Sequence, residues 1–258
     1  MVMDISYYSL FLLLVLLIPG IVLEKYFKLG ILKTSTISIL RMFLQLSLVG
    51  IYLQYIFIYN NPIVNALYLC IMIIVATFTT IKSIKVKLRS FLVIFSPMLF
   101  LIFGFSLFFN VIILKIGFFE AKYLIPISGM ILGNCLNTSI ISMTSFLSIF
   151  KNRKKEYLYT LSLGASKLEA LKPYMAESIN LSLKPAIATM ATLGIVKLPG
   201  MMTGQILAGN LPMIAIKYQI AVMILIFGAQ MYNAFFILIL ASKFFFDDYM
   251  LPKESMLK

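Results

Sequence analysis

Residues 151–209, KNRKKEYLYTLSLGASKLEALKPYMAESINLSLKPAIATMATLGIVKLPGMMTGQILAG, interrupt an otherwise almost continuous apolar sequence. The first half is basic and amphipathic, and it is too polar to lie among lipid tails. The second half is apolar again, yet it contains Lys197, Pro199, Gly200, Gly204 and Gln205. A helix surrounded by lipid tolerates such residues poorly. The stretch therefore predicts a cytoplasmic element joined to a broken membrane segment, as in a transporter subunit.

The composition is that of an integral membrane protein. Of the 258 residues, 62% are hydrophobic and 12% are charged, whereas soluble proteins have about 25% charged residues. We expect one transmembrane domain over 1–258 and no soluble domain. The net charge of +13 is concentrated in short loops, so it indicates membrane orientation and not nucleic-acid binding. Cys70 and Cys135 lie in apolar runs, which favours inert buried thiols over a disulfide or a metal site.

Charged residues and turn signals divide the chain into about seven transmembrane helices, with six or eight as alternatives. Nineteen uncharged residues at 5–23 suffice for a first crossing of a roughly 30 Å hydrocarbon core. The Asn60-Asn61-Pro62 turn separates the second helix from the third. The predicted segments are 5–23, 34–58, 62–81, 90–114, 123–149, a broken sixth at 178–208, and 214–242.

The basic residues predict the orientation. Sixteen of the 22 Lys and Arg residues fall at 24–33, 82–89, 151–172 and the C-terminal tail, and only Lys115 and Lys122 fall in loops on the other side. Basic loops remain in the cytoplasm. We therefore expect a multi-pass protein of the cell inner (plasma) membrane, with its N-terminus outside and its C-terminus in the cytoplasm.

The basic stretch predicts a bent cytoplasmic element, which we call the elbow (151–175). Leu158, Leu161, Ala165, Leu168, Met175 and Ile179 recur at helical spacing. Gly164 suits a left-handed helix end, and Ser166 with Glu169 forms a capping box that begins the next helix. Pro173 is expected to end or kink that helix within about two turns. A docking element for a partner protein fits this pattern, and so does an amphipathic helix lying on the membrane surface.

The broken segment supplies candidate residues for a translocation pathway. Pro199 and the glycines free backbone carbonyls, which at membrane depth must face protein or water. Thr203, Gln205 and the sulfurs of Met201 and Met202 could line the pathway with them. Alternatively, Gly200 and Gly204 form a close helix-packing face and the methionines fill the core.

Four polar residues in other helices have two interpretations each. Arg41 and Gln45 lie one turn apart on the second predicted helix. Either they line the pathway, or the long Arg41 side chain extends to the inner membrane surface. Asn134 and Asn137 either contact substrate or form hydrogen bonds between helices.

Several functional classes lack their usual residues in this sequence. There is no His, and all nine acidic residues lie in loops, tails or helix ends, so a proton-coupled carrier lacks its usual groups. No Walker-type glycine loop and no catalytic constellation is present. We therefore expect no enzyme activity in this chain, and any ATP-derived energy must come from another polypeptide.

Three stretches closely resemble the FetB (YbbM) family of ABC-transporter permeases. They are RMFLQLSLVG at 41–50, GMILGNCLN at 129–137 and GIVKLPGMMTGQILAG at 194–209. Lys197 and Cys135 replace the small residues usual in that family. Residues 156–171, EYLYTLSLGASKLEAL, loosely resemble the coupling motif of ABC permeases, with Glu156 and Gly164 at its acidic and glycine positions.

This resemblance implies a permease subunit that pairs with a second copy of itself and with ATP-binding subunits. ATP and Mg²⁺ would bind to those partners, and no cofactor is expected in this chain. The elbow would receive the force of ATP binding through Glu156, Gly164, Ser166, Leu168 and Glu169. The family implies metal export, with iron the leading substrate, and its plant relatives are linked to aluminium tolerance. An ATP-independent channel or secondary carrier of the same topology is the alternative.

Overall fold

The computed structural model describes residues 6–247, 249–251 and 253, and in this part the chain is helical. Residue 5, where the first predicted span begins, and Lys258 of the tail lie outside the described residues. The helices are α1 (Tyr7–Leu13), α2 (Ile18–Phe27), α3 (Leu32–Tyr59), α4 (Pro62–Ile84), α5 (Phe91–Leu107), α6 (Ala121–Asn152), α7 (Lys154–Ser162), α8 (Lys167–Thr192), α9 (Gly200–Leu207) and α10 (Pro212–Phe244). A 3₁₀ turn joins α1 to α2, and a π-helical turn follows α5.

Within the described residues, six helical segments are long and apolar enough to cross a membrane: Tyr8–Phe27, α3, α4, Phe91–Ile113, α6 and α10. They match six of the seven predicted segments. The seventh corresponds to α8, a helix of 26 residues with Pro173 and Pro185 inside it, followed by a break at 193–199 and by α9. The prediction of an all-α membrane protein with about seven membrane segments and a broken sixth is therefore confirmed.

The core is built around α6, which packs against α4, α5, α8 and α10. Ile131, Cys135 and Met143 on this helix are fully buried, so Cys135 is the inert buried thiol that its apolar surroundings predict. Close packing of α5 on α10 depends on Gly228, because a β-carbon there would lie 3.1 Å from the Phe105 ring. These contacts place α6 and α10 side by side at the centre of the bundle.

In contrast, α3 lies at the edge of the bundle and buries none of its residues. It touches α1 through the Phe11 and Phe43 rings and α4 through the hydroxyls of Tyr52 and Tyr68. The turn after α3 is tied more firmly: the side-chain oxygen of Asn60 accepts from the Ala121 N–H at 2.9 Å. This bond fixes the predicted Asn60-Asn61-Pro62 turn against the start of α6.

The elbow is partly as predicted. Gly164 has a φ of +89°, and Ser166 and Glu169 form the reciprocal capping box at the start of α8. Pro173 does not end this helix within about two turns, because α8 continues to Thr192, so the expectation of a short helix after the capping box is wrong. Proline lacks the N–H that would bond the Glu169 carbonyl, but the helix face that follows it is buried on α6. That burial outweighs the loss of one hydrogen bond.

Replacing Ser166 with alanine is expected to destabilise the start of α8 by about 0.5–2 kcal/mol, the usual cost of losing an N-cap. Ser162→Ala, which alters an exposed hydroxyl at the end of α7, is the matched control.

The bonds from Ser166 also lower the pKa of Glu169. The contribution of the Glu169 carboxylate to the capping box is therefore fully present above the ordinary Glu pKa of 4.5 and is lost as pH falls through the lower folded-state pKa, whereas the Ser166 hydroxyl still accepts from the Glu169 N–H. Hydrogen exchange of the first turn, compared between the two variants at pH 7 and pH 4, measures both effects.

Candidate functional site

A polar cavity near the middle of the bundle, which we call the central cleft, has a volume of about 340 Å³. It is bounded by α6, α8, the 193–199 loop and α10. Its polar lining residues are Asn134, Asn137, Thr138, Ser182, Thr189 and Gln230. Among the described residues that line it, Lys197 is the charged one. The cleft therefore offers amides, hydroxyls and one ammonium group, and no carboxylate.

The break after α8 brings Lys197 to this cleft. Gly194 adopts a φ of +85°, and its N–H donates to the Lys197 carbonyl at 3.0 Å. The Thr192 carbonyl accepts from the N–H groups of Val196 at 3.0 Å and Lys197 at 3.3 Å. This tight turn ends α8, and Pro199 then serves as the N-cap of α9. Lys197, Pro199 and Gly200 consequently line the cleft together.

Two amide side chains of α10 form the polar contacts between helices beside the cleft. Gln230 donates to the Thr138 hydroxyl at 3.0 Å, and Asn233 donates to the Ser139 hydroxyl at 2.7 Å and to the Cys135 carbonyl at 3.1 Å. Sequence reasoning missed both residues. The signal was available, because two amides three residues apart in an apolar helix lie on one face and need partners.

A second cavity of about 530 Å³, the outer cavity, lies between α9 and the first halves of α6 and α10. Met130, Met201 and Gln205 line it, and Lys122, Tyr123 and Tyr218 contribute polar groups. The side-chain oxygen of Gln205 is buried and has no hydrogen-bond partner among the described residues. Since Gly200 lines the central cleft and Met201 the outer cavity, α9 separates the two.

Among the other candidates of the broken segment, Met202, Thr203 and Gly204 line neither cavity. A methyl group added at Gly200 or Gly204 would meet no atom within 4 Å, so these glycines form no close packing face within the described chain. The exposed Thr203 hydroxyl donates to the Pro199 carbonyl at 3.0 Å, and Met202 is half-buried. Their part in a pathway stays a prediction.

The structure separates the remaining candidates. Asn134 and Asn137 both face the central cleft, and Asn134 donates within its own helix, to the Met130 carbonyl at 2.8 Å. The hydrogen bonds between helices beside the cleft are donated by α10 side chains instead. Arg41 and Gln45 are exposed on α3 and line neither cavity, so their place in a pathway stays a prediction.

The elbow is attached to the bundle by four aromatic side chains, the aromatic cluster: Phe150, Tyr157, Tyr174 and Phe246. Ring centroids lie 5.1 Å apart for Phe150 and Tyr157 and 5.3 Å apart for Phe150 and Phe246. Burial raises the pKa of Tyr157 to about 12, so its hydroxyl stays protonated and donates to the Met250 carbonyl at 2.8 Å. The cluster thereby joins α6, α7, α8 and the segment after α10.

The outer side of the elbow is open to solvent. Glu156, Gly164, Ser166, Leu168 and Glu169 are all exposed. Arg153 pairs with Glu156 at 2.7 Å, and this hydrogen-bonded partner lowers the pKa of the Glu156 carboxyl. The structure thus presents charged and apolar groups side by side on a surface that the aromatic cluster holds in place.

The described residues contain no cluster of three or more His, Cys, Asp or Glu side chains that could hold a metal ion. The nearest alternative donors in the outer cavity are the sulfurs of Met130 and Met201 and the oxygen of Gln205. Hard cations prefer six or more oxygen ligands with carboxylates among them, and neither cavity provides that set.

Comparison with known proteins assigns the chain to a family. The model described as "Uncharacterised protein family (UPF0014)" matches residues 7–246. The chain belongs to this family. Similar members are the UPF0014 membrane protein YjkA of Bacillus subtilis, 33% identical over 84% of this chain and 86% of the relative, and "Probable iron export permease protein FetB" of Escherichia coli, 31% identical over 85% and 84%.

A plant protein is similar as well. Protein ALUMINUM SENSITIVE 3 of Arabidopsis thaliana is 31% identical over 84% of this chain and 78% of its own length. No solved structure matches significantly. The expected likeness to FetB-type permeases is therefore confirmed, and the chain is a multi-pass membrane protein of a family that includes a named permease.

Proposed function

We propose that this chain is the permease subunit of an ABC transporter that exports iron, or a solute containing it, across the inner membrane. The observation that carries the proposal is the path of α8. This helix begins at the elbow capping box and ends at the turn that places Lys197 in the central cleft. A force applied at the elbow therefore reaches the cleft through one continuous helix.

The elbow fits a groove on an ATP-binding subunit, which would hold ATP and Mg²⁺. Exposed Leu168 supplies an apolar contact, and Glu156 and Glu169 supply charges around it. Binding of an element of this kind into a groove is a common mode of protein recognition. The aromatic cluster would transmit the resulting displacement to α6 and α10, which form the other walls of the cleft.

A second copy of the chain would complete the transporter, with lipid around the pair and no nucleic-acid partner. The charge distribution supports an N-terminus outside and a C-terminus in the cytoplasm, because the basic loops flank the elbow side. In this orientation the central cleft lies at mid-depth and the outer cavity lies toward the outside.

The charge of the cleft bears on the form in which iron would travel. Lys197 repels a bare cation, and no carboxylate among the cleft-lining residues compensates for it. Amides and hydroxyls bind oxygen-rich ligands through hydrogen bonds. The cleft therefore suits iron that is already bound by an anionic ligand better than it suits the free ion.

Co-purification with the candidate ATP-binding subunit tests the proposal. Gly164→Pro removes the left-handed turn between α7 and α8, and Glu156→Lys reverses a charge on the exposed elbow; Ser162→Ala is the control. We expect the rate of ATP hydrolysis in liposomes to be at least about tenfold lower for both elbow variants than for the wild type. A loss of about 1.4 kcal/mol in the free energy of binding between the elbow and the ATP-binding subunit weakens that complex tenfold. The control should keep it.

An ATP-independent channel or carrier predicts the opposite result. In that case no stable complex with an ATP-binding subunit forms, and solute flux in liposomes is the same for the wild type and the elbow variants. This outcome would exclude the ABC permease and leave the cleft as the transport site.

A further inference from the structure

The residues that line the two cavities form one continuous row along α6. The row runs from the outer cavity into the central cleft through Ile127, Met130, Asn134, Asn137 and Ile141. Intervals of three and four residues keep these positions on one face of the helix. The outer cavity and the central cleft therefore lie one after the other along the same face of α6.

About one helical turn of α6 separates the two cavities. The side chain of Asn134, which lines the cleft, donates to the carbonyl of Met130, which lines the outer cavity, at 2.8 Å. On α9, Gly200 lines the cleft and the adjacent Met201 lines the outer cavity. Since one turn advances about 5.4 Å, the barrier between the cavities is only about as thick as a side chain.

The α9 side of this barrier is loosely held. No residue of α9 is fully buried, and a methyl group added at Gly204 would meet no atom within 4 Å. The helix lies between two turns that contain left-handed glycines, Gly194 with a φ of +85° and Gly209 with a φ of +97°. The side-chain oxygen of Gln205 is buried without a partner among the described residues, which disfavours the present position of α9. A small displacement of α9 would let water reach that oxygen and would open the barrier.

The outer cavity repeats the chemistry of the central cleft. Lys122 is the charged group among its described lining residues, as Lys197 is in the cleft. Its amides and hydroxyls come from Gln205, Asn210, Tyr123 and Tyr218. An ammonium group beside neutral hydrogen-bonding groups, with no carboxylate among the described lining residues, suits an anion with several oxygen atoms. Both cavities therefore suit the same class of solute.

We propose that the outer cavity is a second binding site for the transported solute, an anion rich in oxygen atoms, on its way out of the central cleft. The inference rests on the transport role proposed above and adds the outward half of the route. Met130 and Met201 are the outer-cavity residues nearest to the cleft along α6 and α9, so they form the barrier between the two sites. The movable part of the barrier is α9.

Thiol labelling from the outside tests whether this barrier separates the two sites. Cys70 and Cys135 are replaced by alanine, and Thr189→Cys places a single thiol in the central cleft. A maleimide that cannot cross the membrane is added to right-side-out membrane vesicles. Met130→Ala and Met201→Ala should each raise the labelling rate of that thiol at least about fivefold, because only an accessible thiol reacts.

Met72→Ala is the matched control. A β-carbon at Gly129 would lie 3.4 Å from the Met72 Cε, so Met72 packs on α6 beside Met130, and it lines neither cavity. The control removes the same type of side chain from the surface of the same helix. It therefore reports any general loosening of the bundle, and it should leave the labelling rate unchanged.

A second measurement tests binding in the outer cavity. Ile214→Cys places the single thiol in that cavity, and ferric citrate, an anionic iron complex, is the probe. We expect ferric citrate to slow the labelling, and Lys122→Glu to raise the concentration needed at least about tenfold. Lys217→Glu reverses a charge beside Tyr218 but outside both cavities, so it should leave that concentration unchanged. Equal protection in the Lys122 and Lys217 variants, or no protection at all, would overturn the second site.

The outcomes separate this inference from the proposed function, because neither measurement needs ATP or an ATP-binding subunit. Unchanged labelling of the Thr189 variant after both methionine changes, or an equal rise with Met72→Ala, would overturn the route between the cavities. The ABC permease would then still stand on its ATP hydrolysis. The expected labelling in a protein that forms no complex with an ATP-binding subunit would keep the route and overturn the ABC permease.

Discussion

Replacing Tyr157 with alanine is expected to destabilise the protein by about 3–5 kcal/mol, the range for removing a buried aromatic side chain. The same change is expected to uncouple ATP hydrolysis from transport. Tyr157 is fully buried and contacts Phe150 and Phe246. Without its ring, α7 loses its attachment to α6 and to the segment after α10. The elbow can then bind an ATP-binding subunit and yet fail to move the cleft.

Tyr157→Phe provides the matched control. It keeps the ring contacts and removes only the hydrogen bond to the Met250 carbonyl, which is worth about 1 kcal/mol. Thermal unfolding in detergent measures stability, and the amount of solute moved per ATP hydrolysed in liposomes measures the connection to transport. If the alanine variant keeps that ratio at a temperature where it is folded, the aromatic cluster is only structural and the force passes through α8 alone.

The helices and their order could be predicted from the sequence because the relevant signals are local. Apolar runs of sufficient length, the Asn60-Asn61-Pro62 turn and the Ser166–Glu169 capping box each depend on residues close together in the chain. The length of α8 could not be predicted in this way. Whether Pro173 ends a helix depends on what the following turns contact, and the burial of Tyr174, Ser178 and Ser182 on neighbouring helices appears only in the folded bundle.

The candidate site was predictable to the same limited degree. Asn134, Asn137 and Lys197 were singled out as polar residues in apolar surroundings, and the structure brings all three to the central cleft. Arg41 met the same criterion but lies on α3, at the edge of the bundle. Polarity shows that a residue needs a partner or water, whereas helix packing determines which cavity, if any, it faces. Gln230 and Asn233 in α10 meet the same criterion, and their bonds to Thr138 and Ser139 place them beside the cleft.

Reversing the charge of Lys197 is expected to have the largest effect on transport. Lys197→Glu replaces an ammonium in the central cleft by a carboxylate, while Lys197→Gln only removes the charge. Two unit charges 4 Å apart interact by about 4 kcal/mol at an effective dielectric constant of 20. Lys197 is exposed, so solvent weakens this interaction, but about 1.4 kcal/mol is enough for a tenfold change.

For iron that is carried by an anionic ligand, we expect Lys197→Glu to reduce export at least about tenfold, Lys197→Gln to reduce it less and Lys197→Arg to retain it. The measurement is retention of radioactive iron in cells that produce each variant at equal levels, with ATP hydrolysis of the purified complex as the check on folding. Faster export by Lys197→Glu than by the wild type would contradict this expectation. It would show that the cleft carries the bare cation, because a carboxylate attracts the free ion and repels an anionic complex.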